Sequence, residues 1–298
     1  MTAKDIFKGI DQVDKILIRN GGENAIDKSF FYLSGVDGGL FEGSAIVASR
    51  DRIKMFVYQL EEQIARASGK EVAVARSQAE MSELITKEIG KSSNVGVNMG
   101  SLTVNMFEDI KKILPNAKFV DVSKNIDNAR MIKDPSEISK LREAARISSE
   151  IYEKSLDYLK EGIKETELAA YMVYQMMSNG ASEPSFTTIV CFGENASEPH
   201  HSPNNRKLKK GDYVLTDYGA AFSRYCADTT RTAFFGRPTE KQKEIYLVGF
   251  VINVLSVHAI PDHMHACLLC LVYNVINLFL LLRRPAEESG PCRICTIP

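Results

Sequence analysis

This 298-residue sequence has almost no surplus charge, and its first 250 residues have little cysteine. Among the first 250 residues the sequence has cysteine only at Cys191 and Cys226, which is too few for a disulfide framework. The formal net charge is −1, which argues against nucleic acid or an anionic membrane as a bulk partner. Residues 1–15 contain no apolar run of the kind that signal peptides carry. These absences favour a cytoplasmic protein.

Residues 1–127 alternate between strand-like and helix-like segments, which predicts an α/β domain with a mixed sheet. No catalytic constellation is evident here, and Tyr32 is more typical of a core or surface tyrosine than of a cleft residue. Two amphipathic helices are expected at 79–89 and 102–114, closed by Gly90 and Pro115. Strands are expected at 15–19, 29–33, 45–48, 53–58, 71–75 and 119–122.

A helix-start signal opens the next part of the chain. Asp134 can cap a helix, Pro135 suits its first position, and Glu137 completes a capping box. The helix is expected to continue to about Leu159, and a second helix to run from Thr166 to Met177. We therefore divide the chain into domains at 1–127 and 128–250, followed by a tail of different character at 251–298.

The acidic residues of the segment from Gly211 to Gly236 have an informative spacing. The segment reads as two β-strands, and a reversal about Phe222 and Ser223 places Asp217 opposite Asp228. Residues directly opposite each other on antiparallel strands share a face, and like charges there repel. A divalent cation between the two carboxylates would explain the pair, and two solvated acids near a turn are the alternative.

The residues around these acids resemble a known family. The segments VLTDYGA and CADTTRT, with PHHSP upstream and FFGRPTEKQKEIY downstream, resemble the "pita-bread" metallopeptidases of the creatinase, prolidase and methionine aminopeptidase family. Within it, they are similar to the branch of Xaa-Pro dipeptidases and aminopeptidases. The resemblance covers about residues 10–249. It implies a creatinase-like N-terminal domain followed by a pita-bread domain, a homodimer, and a proline-containing peptide as substrate.

The resemblance also implies roles for particular residues. Asp217 and Asp228 match metal ligands of a site for two divalent ions, Mn, Co or Zn. His200 matches a histidine that contacts substrate and stabilises the tetrahedral intermediate. His201 has no firm match and is either an alternative partner or merely exposed. Thr230 shares a face with Asp228 and could hydrogen-bond a metal-associated water, or be an ordinary strand threonine. The residue after it, Arg231, points the other way and is expected to be an ion-pair partner.

The tail at 251–298 departs from the family pattern. It contains no lysine and has 6 charged residues among its 48. A downstream histidine and two downstream glutamates complete the resembled site, and no histidine or glutamate of the tail matches them. Its two Cys-x-x-Cys pairs could bind zinc, and its apolar run at 266–282 could be a short membrane anchor. A frameshift, truncation or misjoined reading frame is the favoured interpretation, so that the pita-bread domain is expected to be incomplete.

The sequence thus predicts a metallo-exopeptidase of the Xaa-Pro type, either dipeptidase or aminopeptidase. Because three further ligands are unmatched, we expect little or no turnover from these 298 residues. The leading alternative is an inactive pita-bread module that binds a peptide or a protein. Amidinohydrolysis of the creatinase type uses the same fold without metal, and the retained aspartate pair argues against it.

Overall fold

A computed structural model describes residues 6–92, 94–244 and 246–247, together with the backbone of 295–297. The chain forms two compact units, Met1–Pro135 and Ser136–Pro298. Each unit combines helices with a sheet, which confirms the predicted α/β class. The three-part division at 127 and 250 stays a prediction.

The first unit is built on a six-stranded mixed sheet with the order β4-β3-β2-β1-β5-β6. The pairs β1–β2 and β2–β3 are antiparallel, and the other neighbours are parallel. Four strands match their predicted bounds, while β5 was not predicted. The strands are β1 (Lys15–Arg19), β2 (Ala45–Ala48), β3 (Ile53–Tyr58), β4 (Glu71–Ala75), β5 (Asn94–Val97) and β6 (Lys118–Asp121).

Helices and apolar side chains lie on both faces of this sheet. On β1, Ile16 and Ile18 belong to one apolar core, whereas Leu17 belongs to the other. This alternation follows from the two-residue period of a strand. The two predicted amphipathic helices are confirmed as α3 and α4. The helices of the unit are α1 (Lys28–Ser34), α2 (Glu62–Ala67), α3 (Gln78–Ile89), α4 (Val104–Ile113) and α5 (Ser123–Met131).

The prediction of a strand at 29–33 was wrong, because these residues form helix α1. Asp27 caps this helix by accepting a hydrogen bond from the Ser29 N–H at 2.8 Å. Gly35 ends it in the left-handed conformation, with φ 73°. Phe30 and Phe31 are buried in the core, so local capping and burial override the strand preference of aromatic residues.

Asp27→Ala is expected to lower the free energy of unfolding by about 2–4 kcal/mol. The Asp27 carboxylate is 2% exposed and also accepts from the Asn98 amide at 2.9 and 3.1 Å. Its removal leaves the first turn of α1 without its cap acceptor and leaves the Asn98 amide with only its serine partners, Ser29 and Ser101. Urea denaturation measures the loss, and Asp27→Asn, which keeps a cap acceptor, should lose less. A loss within about 0.5 kcal/mol, the range of ordinary surface substitutions, would show that the network is not stabilising.

The second unit contains two long helices and two small sheets. The four-stranded sheet has the order β13-β12-β9-β8, and the three-stranded sheet has the order β11-β10-β7. Another helix begins at residue 240. The helices are α6 (Pro135–Tyr158) and α7 (Glu165–Ser178), and the strands are β7 (Glu183–Pro184), β8 (Ile189–Phe192), β9 (Tyr213–Tyr218), β10 (Ala220–Phe222), β11 (Tyr225–Cys226), β12 (Thr229–Phe234) and β13 (Cys295–Ile297).

Strand β9 separates the core of this unit from the face that carries Asp217. Val214, Thr216 and Tyr218 are buried, while the alternate residues are half-buried. The Tyr218 hydroxyl donates to the carbonyl of Ser148 on α6 at 2.8 Å. Alternation therefore directs the Asp217 side chain away from the helices.

Several sequence-based hypotheses lie outside the described residues. They concern the apolar run at 266–282 and the cysteine side chains of the two Cys-x-x-Cys pairs. Among the residues that the structure describes, no helix has the length and apolar character needed to span a membrane.

Candidate metal centre and active site

The hairpin that carries the two aspartates turns at Ser223 and Arg224. Both residues have positive φ, 48° and 66°, as in a type I′ turn between β10 and β11. The predicted turn about Phe222 and Ser223 was therefore one residue too early. A displacement of one residue at the turn moves every cross-strand partner by two positions.

Asp217 lies opposite Thr230, and the prediction that it lies opposite Asp228 was wrong. Asp228 comes directly before β12 rather than within it. Because side chains alternate with a period of two, a displacement of two positions leaves a side chain on the same face. The Asp217 carboxylate is close enough to Asp228 to raise the pKa of Asp228, so the structure brings the two together.

Gly219 allows the chain before β12 to approach β9 closely. A Cβ atom at Gly219 would lie 1.9 Å from the carbonyl oxygen of Ala227 and 3.2 Å from the backbone nitrogen of Asp228. The Ala227 N–H donates to the carbonyl of Ala220 at 3.0 Å, which holds this approach. Asp228 therefore reaches its position beside Asp217 because position 219 has no side chain.

Gly219→Ala should displace the backbone at 227–228 and cost about 1–3 kcal/mol of unfolding free energy. The affinity of the aspartate pair for Mn²⁺ should fall in the same variant. Calorimetric titration with Mn²⁺ and urea denaturation measure the two effects. Gly38→Ala is the matched control, since no atom lies within 4 Å of its added Cβ. Equal Mn²⁺ affinity in both variants would contradict the positioning role of Gly219.

The electrostatics of the aspartate pair fit a divalent cation. Burial and the neighbouring Asp217 carboxylate raise the pKa of Asp228 above its ordinary value. The Thr230 hydroxyl donates to Asp217 Oδ1 at 2.9 Å, so it contacts the carboxylate directly. A cation would offset the repulsion between the carboxylates, and carboxylate oxygens are suitable ligands for it. These residues therefore fit the implied metal as part of its ligand set.

A complete ligand set is not found in the described ranges. No group of three or more histidine, cysteine, aspartate or glutamate side chains placed to hold a metal ion occurs there. Asp217 and Asp228 are thus two candidate ligands, and the described residues supply no third.

His200 and His201 have opposite environments in the loop that follows β8. His200 is exposed in a turn, and among the described residues no hydrogen bond or ion pair joins its imidazole to the aspartates. His201 is 8% exposed. The suggestion that His201 is merely exposed was therefore wrong.

The buried side chain of His201 contacts two carboxylates. Its Nε2 lies 2.9 Å from Glu165 Oε2, and its Nδ1 lies 2.8 Å from Glu198 Oε2. Burial lowers the pKa of His201, but the two carboxylates outweigh burial and raise it above its ordinary value. The sequence offers one weak signal for this network, the concentration of asparagine and histidine in the loop at 193–206.

Arg231 points toward the helical face, as predicted, but its contacts differ from the prediction. Its guanidinium lies 5.7 Å from the centre of the Tyr152 ring and donates to the carbonyl of Thr230 at 2.9 Å. In the part of the chain that the structure describes, it forms no ion pair. Burial lowers the pKa of Arg231, and a cation–π contact replaces the expected carboxylate partner.

Two family models match this chain over adjoining segments. The creatinase/prolidase N-terminal domain matches residues 11–132, and metallopeptidase family M24 matches residues 139–249. The second segment contains the aspartate hairpin, the histidine loop and both long helices of the second unit from residue 139 onward.

Individual proteins extend the similarity along most of the chain. The Xaa-Pro dipeptidase of Pyrococcus furiosus is 30% identical over 257 residues, covering 84% of this chain and 72% of that protein. An uncharacterised peptidase of Staphylococcus aureus (strain USA300) is 39% identical over 142 residues, covering 48% of this chain and 40% of that protein. The match therefore spans less than half the length of the Staphylococcus aureus relative.

A solved structure shows the same fold. The prolidase from Pyrococcus horikoshii OT3 has a TM-score of 0.74 and 30% identity, covering 85% of this chain and 70% of that one. The fold, the adjoining family matches and the Pyrococcus furiosus relative agree with one another. The chain belongs to metallopeptidase family M24, in the branch of the Xaa-Pro peptidases, and carries a creatinase/prolidase N-terminal domain.

Proposed function

We propose that this protein hydrolyses peptide bonds next to proline, as an Xaa-Pro dipeptidase or Xaa-Pro aminopeptidase. The observation that carries the proposal is the pair of adjacent carboxylates, Asp217 and Asp228, on the sheet face that points away from the helices. The hairpin that holds them lies within the M24 match. The name of the Pyrococcus furiosus relative, Xaa-Pro dipeptidase, supplies the substrate class.

Asp217 and Asp228 would hold the divalent ions, for which Mn, Co and Zn are all suitable. When bound, such ions supply Lewis-acid activation of the scissile peptide bond. The Thr230 hydroxyl fixes the orientation of the Asp217 carboxylate through its 2.9 Å hydrogen bond. Thr230 thus holds one candidate ligand oxygen, Asp217 Oδ1, in place.

His200 would act on the substrate rather than on the metal. Its imidazole is exposed and is therefore accessible to a peptide carbonyl. An imidazole N–H directed at the oxygen that gains negative charge stabilises the transition state more than the ground state. His200 is accordingly proposed as the stabiliser of the tetrahedral intermediate.

The proposal includes a proline-containing peptide as the partner, a homodimer as the assembly and the cytoplasm as the location. The family resemblance supports the dimer, and the sparse cysteine content supports a reducing compartment. Size-exclusion chromatography with light scattering tests the dimer directly.

A substrate comparison tests the activity. The purified 298-residue chain, loaded with Mn²⁺ or Co²⁺, is assayed with Ala-Pro, Ala-Pro-Ala, Ala-Ala and Pro-Ala. With three family ligands unmatched, turnover is expected to be slow. The proposal expects whatever cleavage occurs to be at least about tenfold faster for a proline-containing substrate than for Ala-Ala, since each 1.4 kcal/mol of discrimination is a factor of ten. Cleavage of Ala-Pro alone identifies a dipeptidase, and cleavage of Ala-Pro-Ala identifies an aminopeptidase.

Two outcomes would overturn the proposal. Equal rates for Ala-Pro and Ala-Ala would exclude proline selectivity. Binding of Ala-Pro by calorimetry without any turnover would identify the chain as an inactive peptide-binding module, which is the leading alternative.

A further inference from the structure

Glu165 is a fully buried carboxylate at the first position of α7, with 0% of its surface exposed. Oε1 accepts from the Phe192 N–H at 2.7 Å and from the Asn195 amide at 2.9 Å. Oε2 accepts from the Asn204 N–H at 3.0 Å and faces His201 Nε2 at 2.9 Å. One carboxylate therefore gathers four contacts, and all of them come from residues 192–204.

These contacts are not needed to cap the helix. The N-terminus of α7 has its own capping interaction, in which the Lys164 N–H donates to Glu167 Oε2 at 2.9 Å. The carboxylate of Glu165 instead binds the segment that contains His200. The Glu165 carboxylate thus binds the loop at 193–206 and does not cap α7.

His201 extends the network to a second carboxylate. Both ring nitrogens face carboxylate oxygens, Glu165 on one side and Glu198 on the other. A carboxylate oxygen accepts hydrogen bonds, so a protonated ring, with an N–H on each nitrogen, satisfies both contacts. The buried thiol of Cys191 also lies near these carboxylates. Burial raises the pKa of Cys191 to about 11, so the thiol is uncharged at neutral pH.

We propose that Glu165 and His201 are positioning residues that hold the loop at 193–206 so that the imidazole of His200 faces the peptide. The inference rests on the proposed function. His200 is the direct neighbour of His201, whose N–H also donates to the carbonyl of Glu198 at 3.2 Å. Glu165 holds the Asn195 amide before His200, and the His201 ring and the Asn204 N–H after it. These contacts therefore fix the chain on both sides of the exposed imidazole.

The test compares Glu165→Gln with Glu161→Gln in the full chain. Glu161 is exposed in the turn before α7, so its variant is a matched control. Histidine labelled with ¹³C and ¹⁵N gives separate ring signals, and His200→Gln and His201→Gln variants assign them. We expect Glu165→Gln to lower the pH at which His201 titrates and to shift or broaden the His200 ring signals. Glu161→Gln should change neither, and circular dichroism checks that each variant is folded.

The activity arm uses the Mn²⁺-loaded chain and Ala-Pro. Glu165→Gln should lower kcat about ten- to a hundredfold with little change in KM, because misplacement of a catalytic group costs rate more than binding. If the wild-type chain shows no turnover, the proposed function fails, while the NMR comparison still decides the positioning role. If Glu165→Gln does not fold, His201→Gln takes its place in the comparison, since it keeps the Glu165 carboxylate and its backbone donors.

Two results would overturn the inference. In the first, the His201 ring titrates at its ordinary pH in the wild-type chain. In the second, the His200 signals and kcat in Glu165→Gln equal those of Glu161→Gln, which would leave the network with a structural role alone.

Discussion

Replacing Asp228 by alanine should remove divalent-metal binding from the hairpin, together with at least about a thousandfold of any Xaa-Pro peptidase activity. The remaining carboxylate, Asp217, keeps its hydrogen bond from Thr230, but a single anionic ligand holds a cation weakly. Asp217→Ala should have the same effect for the same reason. Calorimetric titration with Mn²⁺ and the Ala-Pro assay measure both losses.

The matched control for this experiment is Asp157→Ala. Asp157 is an exposed aspartate on α6, and its loss removes the same charge without touching the hairpin. Metal affinity and turnover in this variant should equal those of the wild-type chain. If Asp228→Ala also keeps both, the aspartate pair is not the metal site, and the proposed function loses its supporting observation.

Asp228→Asn should raise the stability of the metal-free chain at neutral pH although it lowers activity. The pKa of Asp228 is raised in the folded chain, so its contribution to stability is present at low pH and is lost as the pH rises through the folded pKa. At neutral pH the metal-free pair is therefore destabilising, and the amide removes the repulsion. The metal-free variant should unfold at a higher temperature than the metal-free wild-type chain at pH 7, and the difference should vanish at pH 3. A lower melting temperature at pH 7 would contradict this account of the pair.

The hairpin illustrates how far the sequence determines the candidate site. The sequence around Asp217 and Asp228 predicts both strands and places the two carboxylates on one face. The register was wrong because the turn depends on whether Ser223 and Arg224 adopt positive φ, which these residue types disfavour. The prediction that Asp217 and Asp228 share a face still holds, because a displacement of two positions leaves a side chain on the same face.

Helix α1 and Glu165 show two different reasons for failure. The segment at 29–33 is aromatic and strand-like, yet Asp27 caps a helix there and the core buries its phenylalanines. Local propensity was outweighed by tertiary packing. Glu165 was missed because its partners lie 27 to 39 residues away. No periodicity in the sequence reports contacts between a helix terminus and a distant loop.

Glu165→Ala is expected to lower the free energy of unfolding by about 3–5 kcal/mol, the cost of removing one partner of a buried ion pair. The variant leaves the His201 imidazolium with one carboxylate, Glu198, which is 64% exposed. It also leaves the N–H groups of Phe192 and Asn204 without their acceptor. Each buried donor without a partner adds to the loss.

The loss should depend on pH in a defined direction. The pKa of His201 lies above 6.5 in the folded chain, so the stability it contributes is complete below pH 6.5 and disappears as the pH rises through the folded pKa. Glu165→Ala removes one of the carboxylates that raise this pKa. The difference in unfolding free energy between wild type and variant should therefore be largest near pH 6 and smaller near pH 9. It should not reach zero, because the two backbone donors do not titrate.

Urea denaturation at pH 6, 7, 8 and 9 measures this dependence, with Glu161→Ala as the control. Glu161 is exposed and lies outside the network, so its variant should follow the wild-type curve at every pH. A difference for Glu165→Ala that stays constant across these pH values would mean that His201 is neutral and that the carboxylate serves only backbone donors. A difference below about 1 kcal/mol, half of a typical cost for an unsatisfied buried group, would mean that water replaces the carboxylate and that Glu165 does not hold the loop.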